Sequence, residues 1–410
     1  MLAYQFMIRA YLASIHLASL WNSKAKKWVA GRRNWEQKLE ESLQPNSEYI
    51  WVHCSSLGEF EQGRPLIEAI SSRTKFKVVL TFFSPSGYEI RKKYPKASVH
   101  YLPLDTKSNA QKFLNQVQPK LAIFVKYEFW PNFIDALEKR NIPLYLISGI
   151  FRPNQFLFSK SGKFIQKRLR KFSHFFLQDQ GSADLLTGIG IQNHTLAGDT
   201  RFDQVIHIRE SGKPIPQIES FKGDSSLFIS GSSWPIDEEL MKETLLNSDW
   251  KWLIAPHTID KDRIDSLEKN LGIPCQRYTN PQKNKESKVL ILDTIGYLSS
   301  AYAYADLVYV GGGFGEGIHN LLEASAHGVP VSFGPNHDKF LEAHDLKKIG
   351  AGFSVSDASG FKDWFEEMKD PDMRQKPGKL GQEYVNKKSG GTQIILDSIP
   401  LLNTKTKAES

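Results

Sequence analysis

Two rhythms alternate along most of this chain. Short apolar runs, rich in β-branched and aromatic residues, are separated by longer stretches in which apolar positions recur every three or four residues. The first pattern suits a strand buried on both faces, the second a helix lying on a sheet. Predicted strands are Tyr49–His53, Phe76–Phe82, Lys120–Val125, Pro143–Ile147 and His174–Leu177, with helices over Glu61–Ser71, Gly87–Lys93, Ser108–Val117 and Asn132–Lys139. A second series of strands runs Leu227–Ser230, Lys251–Ala255, Val289–Leu292, Leu307–Val310 and Val329–Phe333. This alternation implies an α/β protein with doubly wound parallel sheets. Glu210–Ser226 breaks the rhythm with prolines, glycines and polar residues and reads as a linker. The expected division is 23–210, a linker at 211–225, a second domain at 226–400 and a tail at 401–410. Ligands of two such domains would sit at the carboxyl ends of their strands, facing each other across a cleft.

The amino end has a pattern of its own. Leu2–Trp21 is mostly apolar and, as a helix, about 30 Å long. Arg9 and His16 interrupt it, and on a helical wheel Gln5, Arg9, His16 and Ser19 gather in one arc. Residues 1–22 therefore read as a helix lying in a membrane interface, with a single span or a buried soluble helix as alternatives. A signal peptide fits poorly, because no basic residue precedes the apolar run.

Charge sharpens this picture. The 410 residues carry a net +8, concentrated in two acid-free stretches. One holds Arg9, Lys24, Lys26, Lys27, Arg32 and Arg33; the other holds Lys160, Lys163, Lys167, Arg168, Arg170 and Lys171. Such patches suit an anionic membrane, a phosphorylated acceptor or nucleic acid, against the simpler reading of solvated helix faces. The two cysteines, Cys54 and Cys275, have neither disulfide-framework nor metal-ligand spacing. Cys54 and His53 are adjacent on a strand and point to opposite faces, so they form no dyad.

Candidate chemistry is densest at Val310–His337. A strand ends there in a glycine turn that includes Gly312 and Gly313, followed by a helix expected to open at His319-Asn320 and close at Gly328. Backbone N–H groups and a helix dipole at such a turn favour an anion. Glu323, one turn on, can accept from the hydroxyls of a ribose. Glu316 stands where a dinucleotide fingerprint needs its third glycine, so a nucleotide-sugar is favoured over NAD. In the amino half, Ser55-Ser56-Leu57-Gly58-Glu59 follows the first strand. Gly58 is expected to let the chain turn and Glu59 to take a proton from a hydroxyl, or else to complement the helix dipole. Glu128, in Tyr127–Asn132, either holds an acceptor or a loop, or caps the next helix. Arg201 can pair with an acidic donor or form a surface salt bridge, and Ser232, in a small-residue turn, can contact phosphate.

The order HN-x-x-E-x-x-x-x-G-x-P over His319–Pro330 resembles the donor site of GT-B glycosyltransferases, and more narrowly that of the Kdo (3-deoxy-D-manno-octulosonate) transferases. Ser56–Glu59 resembles their S-V-G-E, with Leu57 for valine, and Glu128, Trp130, Pro131 and Asn132 match E-T-E-L-W-P-N. Lys126 stands in place of that motif's first acid. Gly198–Asp203 resembles G-x-x-K-F-D, Asp293–Gly296 matches D-T-x-G, and His257 stands where the family has arginine, which makes anion binding more pH-sensitive. The resemblance implies two Rossmann-like domains facing a cleft and an inverting transfer of Kdo from CMP-Kdo to a phosphorylated lipid A precursor. It implies Glu59 as the base, Gly58 and Glu128 in support, and Arg201, Ser232, His257, Gly312, Gly313, His319, Asn320 and Glu323 at the donor. It further implies no metal and no cofactor, no nucleic-acid partner, and a place on the cytoplasmic face of the inner membrane, attached peripherally or by the N-terminal helix. Competing readings are another GT-B enzyme using a UDP-sugar, a sugar epimerase, a non-catalytic membrane-bound nucleotide-binding module and a Rossmann oxidoreductase.

Overall fold

The computed structural model describes residues 2–403. Two compact units divide them, one made of the chain up to Gln204 together with the segment from Gly390, the other of Val205–Ser389.

The first unit is built on a seven-stranded sheet. Its strands are β1 (Tyr49–Cys54), β2 (Lys77–Phe82), β3 (Ser98–Tyr101), β4 (Leu121–Val125), β5 (Leu144–Gly149), β6 (His174–Leu177) and β7 (His194–Leu196). They lie in the order β3-β2-β1-β4-β5-β6-β7, and all neighbours are parallel. Alternate residues bury opposite faces: Ile50, Val52, Ile123 and Val125 enter one core, while Trp51, Ala122, Phe124 and Leu146 enter the other. Burial on both faces explains why these strands read as unbroken apolar runs. The edge strands β3 and β7 are only partly buried and mix polar with apolar residues, so no apolar run announces them.

The N-terminal helix spans Leu2–Ala18. Ile8, Leu12 and Ile15, spaced for one helical face, pack on Trp28, Val29 and Leu104. The Tyr4 hydroxyl donates to Asp105 at 2.6 Å and the Gln5 amide to Asn132 at 2.8 Å. Gln5 therefore faces the protein, whereas Phe6, Met7, Leu17 and Leu20 are exposed. Among the described residues no helix is long and apolar enough to cross a membrane. Met1 lies outside the described residues.

The second unit repeats the plan. Its strands β8 (Leu227–Ser233), β9 (Lys251–Pro256), β10 (Gln276–Arg277), β11 (Val289–Ile291), β12 (Leu307–Val310), β13 (Val331–Phe333) and β14 (Gly352–Ser354) lie in the order β10-β11-β9-β8-β12-β13-β14, again parallel.

The expected linker and second boundary need correction. Within 211–225, Pro216–Lys222 is a helix, and Ile215, Ile218 and Phe221 are buried in the second unit's core. Their apolar spacing was hidden among prolines and glycines. At the other end, Gly391–Ser398 is a helix belonging to the first unit, although the sequence reading carried the second domain to residue 400. Ile395, Leu396, Ile399 and Leu402 share a core with Ile50 and Val52. Asp203 anchors the helix start, accepting from the Gly390 N–H at 2.5 Å and the Thr392 N–H at 2.6 Å. Of the expected tail, residues 404–410 lie outside the described residues.

Candidate functional site

In each sheet the strand order reverses beside the first strand of its unit, between β1 and β4 and between β8 and β12. Loops leaving the carboxyl ends of two strands at such a point part to opposite faces and leave a crevice for ligands. Glu59 and Glu128 follow β1 and β4, and Ser232 and Gly312 stand at the ends of β8 and β12, whereas Arg201 follows the edge strand β7 and His257 follows β9.

In the first unit, Glu59 is on the helix Leu57–Arg73 that follows β1. The Ser56 N–H donates to its carboxylate at 3.0 Å, completing a capping box with Ser56 as N-cap. Glu59 thus has a structural role as a helix cap, and it coexists with an unusual proton affinity. Only 6% of Glu59 is exposed. Burial and then the nearby Glu128 carboxylate push its pKa up to about 8, against the opposing pull of the Ser56 and Ser55 amides and Lys126. The role expected of Gly58 is corrected: it lies inside the helix with no left-handed backbone, and a Cβ there would meet nothing within 4 Å. The turn is made by Ser55 and Ser56 instead.

Glu128 sits on the loop after β4. That loop begins at Lys126, a non-glycine residue held left-handed at φ 71°, whose N–H donates to Ile147 at 2.9 Å. The alternative of a helix cap is excluded for Glu128. The helix Pro131–Lys139 is capped by buried Asp105, which accepts from the N–H groups of Asn132 at 3.1 Å and Phe133 at 3.0 Å. The Glu128 carboxylate instead lies 3.5 Å from His53 Nε2. His53, which sequence reasoning dismissed with Cys54, is fully buried and contacts Thr81 Oγ1 at 2.9 Å and Trp130 Nε1 at 3.0 Å. A polar residue inside an otherwise apolar central strand was the signal that could have marked it. The Cys54 thiol is pushed well up by burial. Arg201 is in the first unit too, where its guanidinium pairs with buried Asp199 at 2.8 Å.

The second unit brings together Ser232, His257, Gly312, Gly313 and His319 at the ends of β8, β9 and β12. Ser232 is left-handed at φ 54° and sits in a register shift of β8. Strain in a non-glycine residue at a strand end is often found at ligand sites. Asp237 organises the turns by accepting from the Tyr309 hydroxyl at 2.7 Å, the Trp234 N–H at 2.9 Å and the Gly312 N–H at 3.1 Å. Three rings cluster here: His257 stacks on Trp234 at 4.6 Å and on His319 at 4.5 Å between centroids. Burial, then the neighbouring His257, lowers His319 to about 4; burial lowers His257 as well.

The glycine turn differs from the expected cradle. The N–H groups of Gly311 and His319 donate to Gly231 and Gly311 carbonyls at 2.9 and 3.1 Å, and that of Gly312 to Asp237, so these amides serve the turn itself. At Gly313 a Cβ would come within 2.6 Å of the Gly334 backbone, so close packing requires glycine there. The helix is also later and shorter than expected, spanning Leu322–Ala326. His319 and Asn320 precede it, and Asn320 accepts from the Leu322 N–H at 3.2 Å. Glu323 accepts from Asn320 at 3.0 Å and from the Ser299 hydroxyl at 2.5 Å. A one-turn helix carries little dipole, so an anion here would depend on side chains.

The basic stretches are less free than their composition suggests. Arg168 and Lys171 pair with Asp135 at 2.7 Å, and Arg170 donates to the Ile189 and Gly190 carbonyls. Lys163 and Lys167 are exposed, while the Lys160 side chain lies outside the described residues. Arg32 is half-buried, its guanidinium 3.7 Å above the Trp28 ring.

Comparison with known proteins adds to this geometry. Residues 33–204 match the family model of 3-deoxy-D-manno-octulosonic-acid transferase (kdotransferase). The chain is 28% identical over 327 residues to the 3-deoxy-D-manno-octulosonic acid transferase of Aquifex aeolicus, covering 77% of this chain and 84% of that one. It is 26% identical over 334 residues to a bifunctional glycosyltransferase/methyltransferase of Fusobacterium nucleatum, covering 77% of this chain and 52% of that protein, so it spans about half its length. Among solved structures, the calicheamicin glycosyltransferase CalG4 superimposes with a TM-score of 0.55 at 13% identity, covering 88% of this chain and 99% of that one. That likeness concerns the fold, two parallel-sheet α/β units as in GT-B glycosyltransferases.

Proposed function

We propose that this chain, a relative of the Kdo transferases by sequence, is an inverting glycosyltransferase that moves Kdo from CMP-Kdo to a phosphorylated lipid A precursor. The observation that carries the reading is Glu59, a buried carboxyl with raised proton affinity at the reversal point of the first sheet. In the reaction an acceptor hydroxyl oxygen forms a bond to the anomeric carbon. The bond from that carbon to the phosphate oxygen breaks, and its electron pair leaves with CMP. The hydroxyl proton passes to Glu59, whose raised affinity suits it to hold a proton near neutral pH. In the second unit, Ser232, His257 and His319 supply hydrogen bonds to the phosphate and Kdo carboxylate, and Glu323 and Asn320 to the ribose. Gly312 and Gly313 shape the turn that carries His319. In this reading these hydrogen-bond donors stabilise the leaving phosphate, and no metal or cofactor is assigned.

Acceptor and membrane belong to the same proposal. The exposed Phe6, Met7 and Leu17 of the N-terminal helix, with Leu20 in the turn after it, enter the interface of the inner membrane's cytoplasmic face. Exposed Lys163 and Lys167 meet acceptor phosphates.

The deciding experiment incubates the protein with a lipid A precursor and CMP-Kdo, and in parallel with UDP-sugars, followed by mass spectrometry of the lipid. The expected result is a mass increase of Kdo with CMP-Kdo alone. Product from a UDP-sugar and none from CMP-Kdo would overturn the assignment of donor.

A further inference from the structure

We infer that His53 is a positioning residue which holds the Glu128 loop against the sheet through a hydrogen bond from Trp130, and thereby keeps Glu128 facing Glu59. The inference rests on the reading of Glu59 as the base.

His53 lies in β1, with Thr81 opposite it in β2 and Phe124 opposite it in β4. Its ring is fully buried and cannot exchange partners with water. An indole nitrogen only donates, so Trp130 Nε1, at 3.0 Å, assigns His53 Nε2 as an acceptor. The other ring nitrogen, Nδ1, then carries the hydrogen and donates to Thr81 Oγ1 at 2.9 Å. Thr81 Oγ1 also accepts from Trp51 Nε1 at 2.8 Å, which fixes the hydroxyl in turn. The chain of bonds from Trp130 to His53 to Thr81 ties the loop after β4 to two strands of the sheet. It also means that His53 offers Glu128 no N–H at 3.5 Å, so their proximity is a consequence of the loop's anchorage rather than an ion pair.

The loop needs an anchor. It starts at left-handed Lys126, a conformation that costs a non-glycine side chain energy and persists only where surroundings enforce it. Enforcement comes from the Ile147 carbonyl, from His53, from Phe83 packed on Trp130 at 4.7 Å, and from Asp105 at the helix start. Of these, the His53 bond lies beside Glu128, whose carboxylate is 3.5 Å from His53 Nε2. The groups that face Glu59 are Glu128 and Lys126 on this loop, Tyr127 between them, and Cys54 on β1. Releasing the loop frees Glu128 to turn to solvent and removes the like charge that favours the protonated form of Glu59.

The test is a titration that needs no turnover. Glutamate carboxyl carbons are labelled with carbon-13, the Glu59 signal is assigned by its loss in Glu59→Gln, and its midpoint is followed by NMR in wild type, Trp130→Phe and His53→Asn. Trp130→Phe keeps a ring against Phe83 but removes the donor. In both variants the midpoint should fall from about 8 towards the ordinary carboxyl range, and the pH at which transfer reaches its plateau should fall with it. Should Trp130→Phe not fold, His53→Gln, long enough to set an amide oxygen where Nε2 stands and accept from the indole, should keep the wild-type midpoint while the shorter His53→Asn loses it. A wild-type midpoint in Trp130→Phe, or in His53→Asn, overturns the proposal. Failure of Glu59 as base would show separately, as unchanged transfer by Glu59→Gln.

Discussion

Glu59 performs two tasks with one carboxylate. As third residue of its helix it accepts the Ser56 N–H, and as a buried acid beside Glu128 it holds its proton to about 8. A base must be ionised before it can act, so transfer at limiting substrate should climb with pH to a plateau above about 8, instead of levelling off in the ordinary carboxyl range. The stability consequence has the opposite sense. A carboxyl whose folded pKa is raised stabilises the fold fully below its unfolded value, and that contribution is lost as pH rises through about 8. Glu59→Gln keeps the capping pattern without ionising, so above pH 8 it should melt no lower than wild type. A pH–rate profile and melting curves check both. The sequence disclosed Glu59 and Glu128 through motif and strand-end position. It did not disclose that Asp105, not Glu128, caps the next helix, nor that His53 supports the loop, because both contacts join residues far apart in the chain.

At the scale of elements, central strands were legible because burial on both faces demands unbroken apolar runs. Edge strands were not, and neither was the shortness of the helix Leu322–Ala326, since His319 and Asn320, expected to open it, lie in irregular backbone. The N-terminal helix shows how amphipathicity can mislead. Its polar Gln5 points inward to Asn132, and several large apolar residues point outward. Deleting the helix would uncover Trp28 and Leu104, confounding attachment with folding. Replacing Phe6, Leu17 and Leu20 together by serine should reduce sedimentation with anionic liposomes and leave the melting temperature nearly unchanged. Ile8→Ser, by contrast, should destabilise the protein by roughly 1–3 kcal/mol, the cost of placing a polar group in an apolar site. Equal sedimentation of the triple variant and wild type would remove the membrane role of this face.

The chain as a whole crosses from the first unit to the second and returns. No local signal marks the return, since Gly391–Ser398 reads like any amphipathic helix and only long-range packing assigns it to the first core. Asp203 secures it with bonds to two backbone amides and the Thr392 hydroxyl. Asp203→Ala should therefore cost about 1–3 kcal/mol, the usual loss when donors are left without a charged acceptor, and chemical denaturation with hydrogen exchange on residues 391–398 would locate the effect. If exchange there is unchanged, the helix is held by its apolar face alone.

The central claim, that Glu59 accepts the proton in sugar transfer, is tested most directly by measuring the transfer rate and CMP affinity of Glu59→Gln on one preparation. The account predicts CMP affinity close to wild type and transfer lower by roughly 10²–10⁴-fold, the usual worth of a general base. Transfer at a near wild-type rate, with donor bound normally, would contradict it.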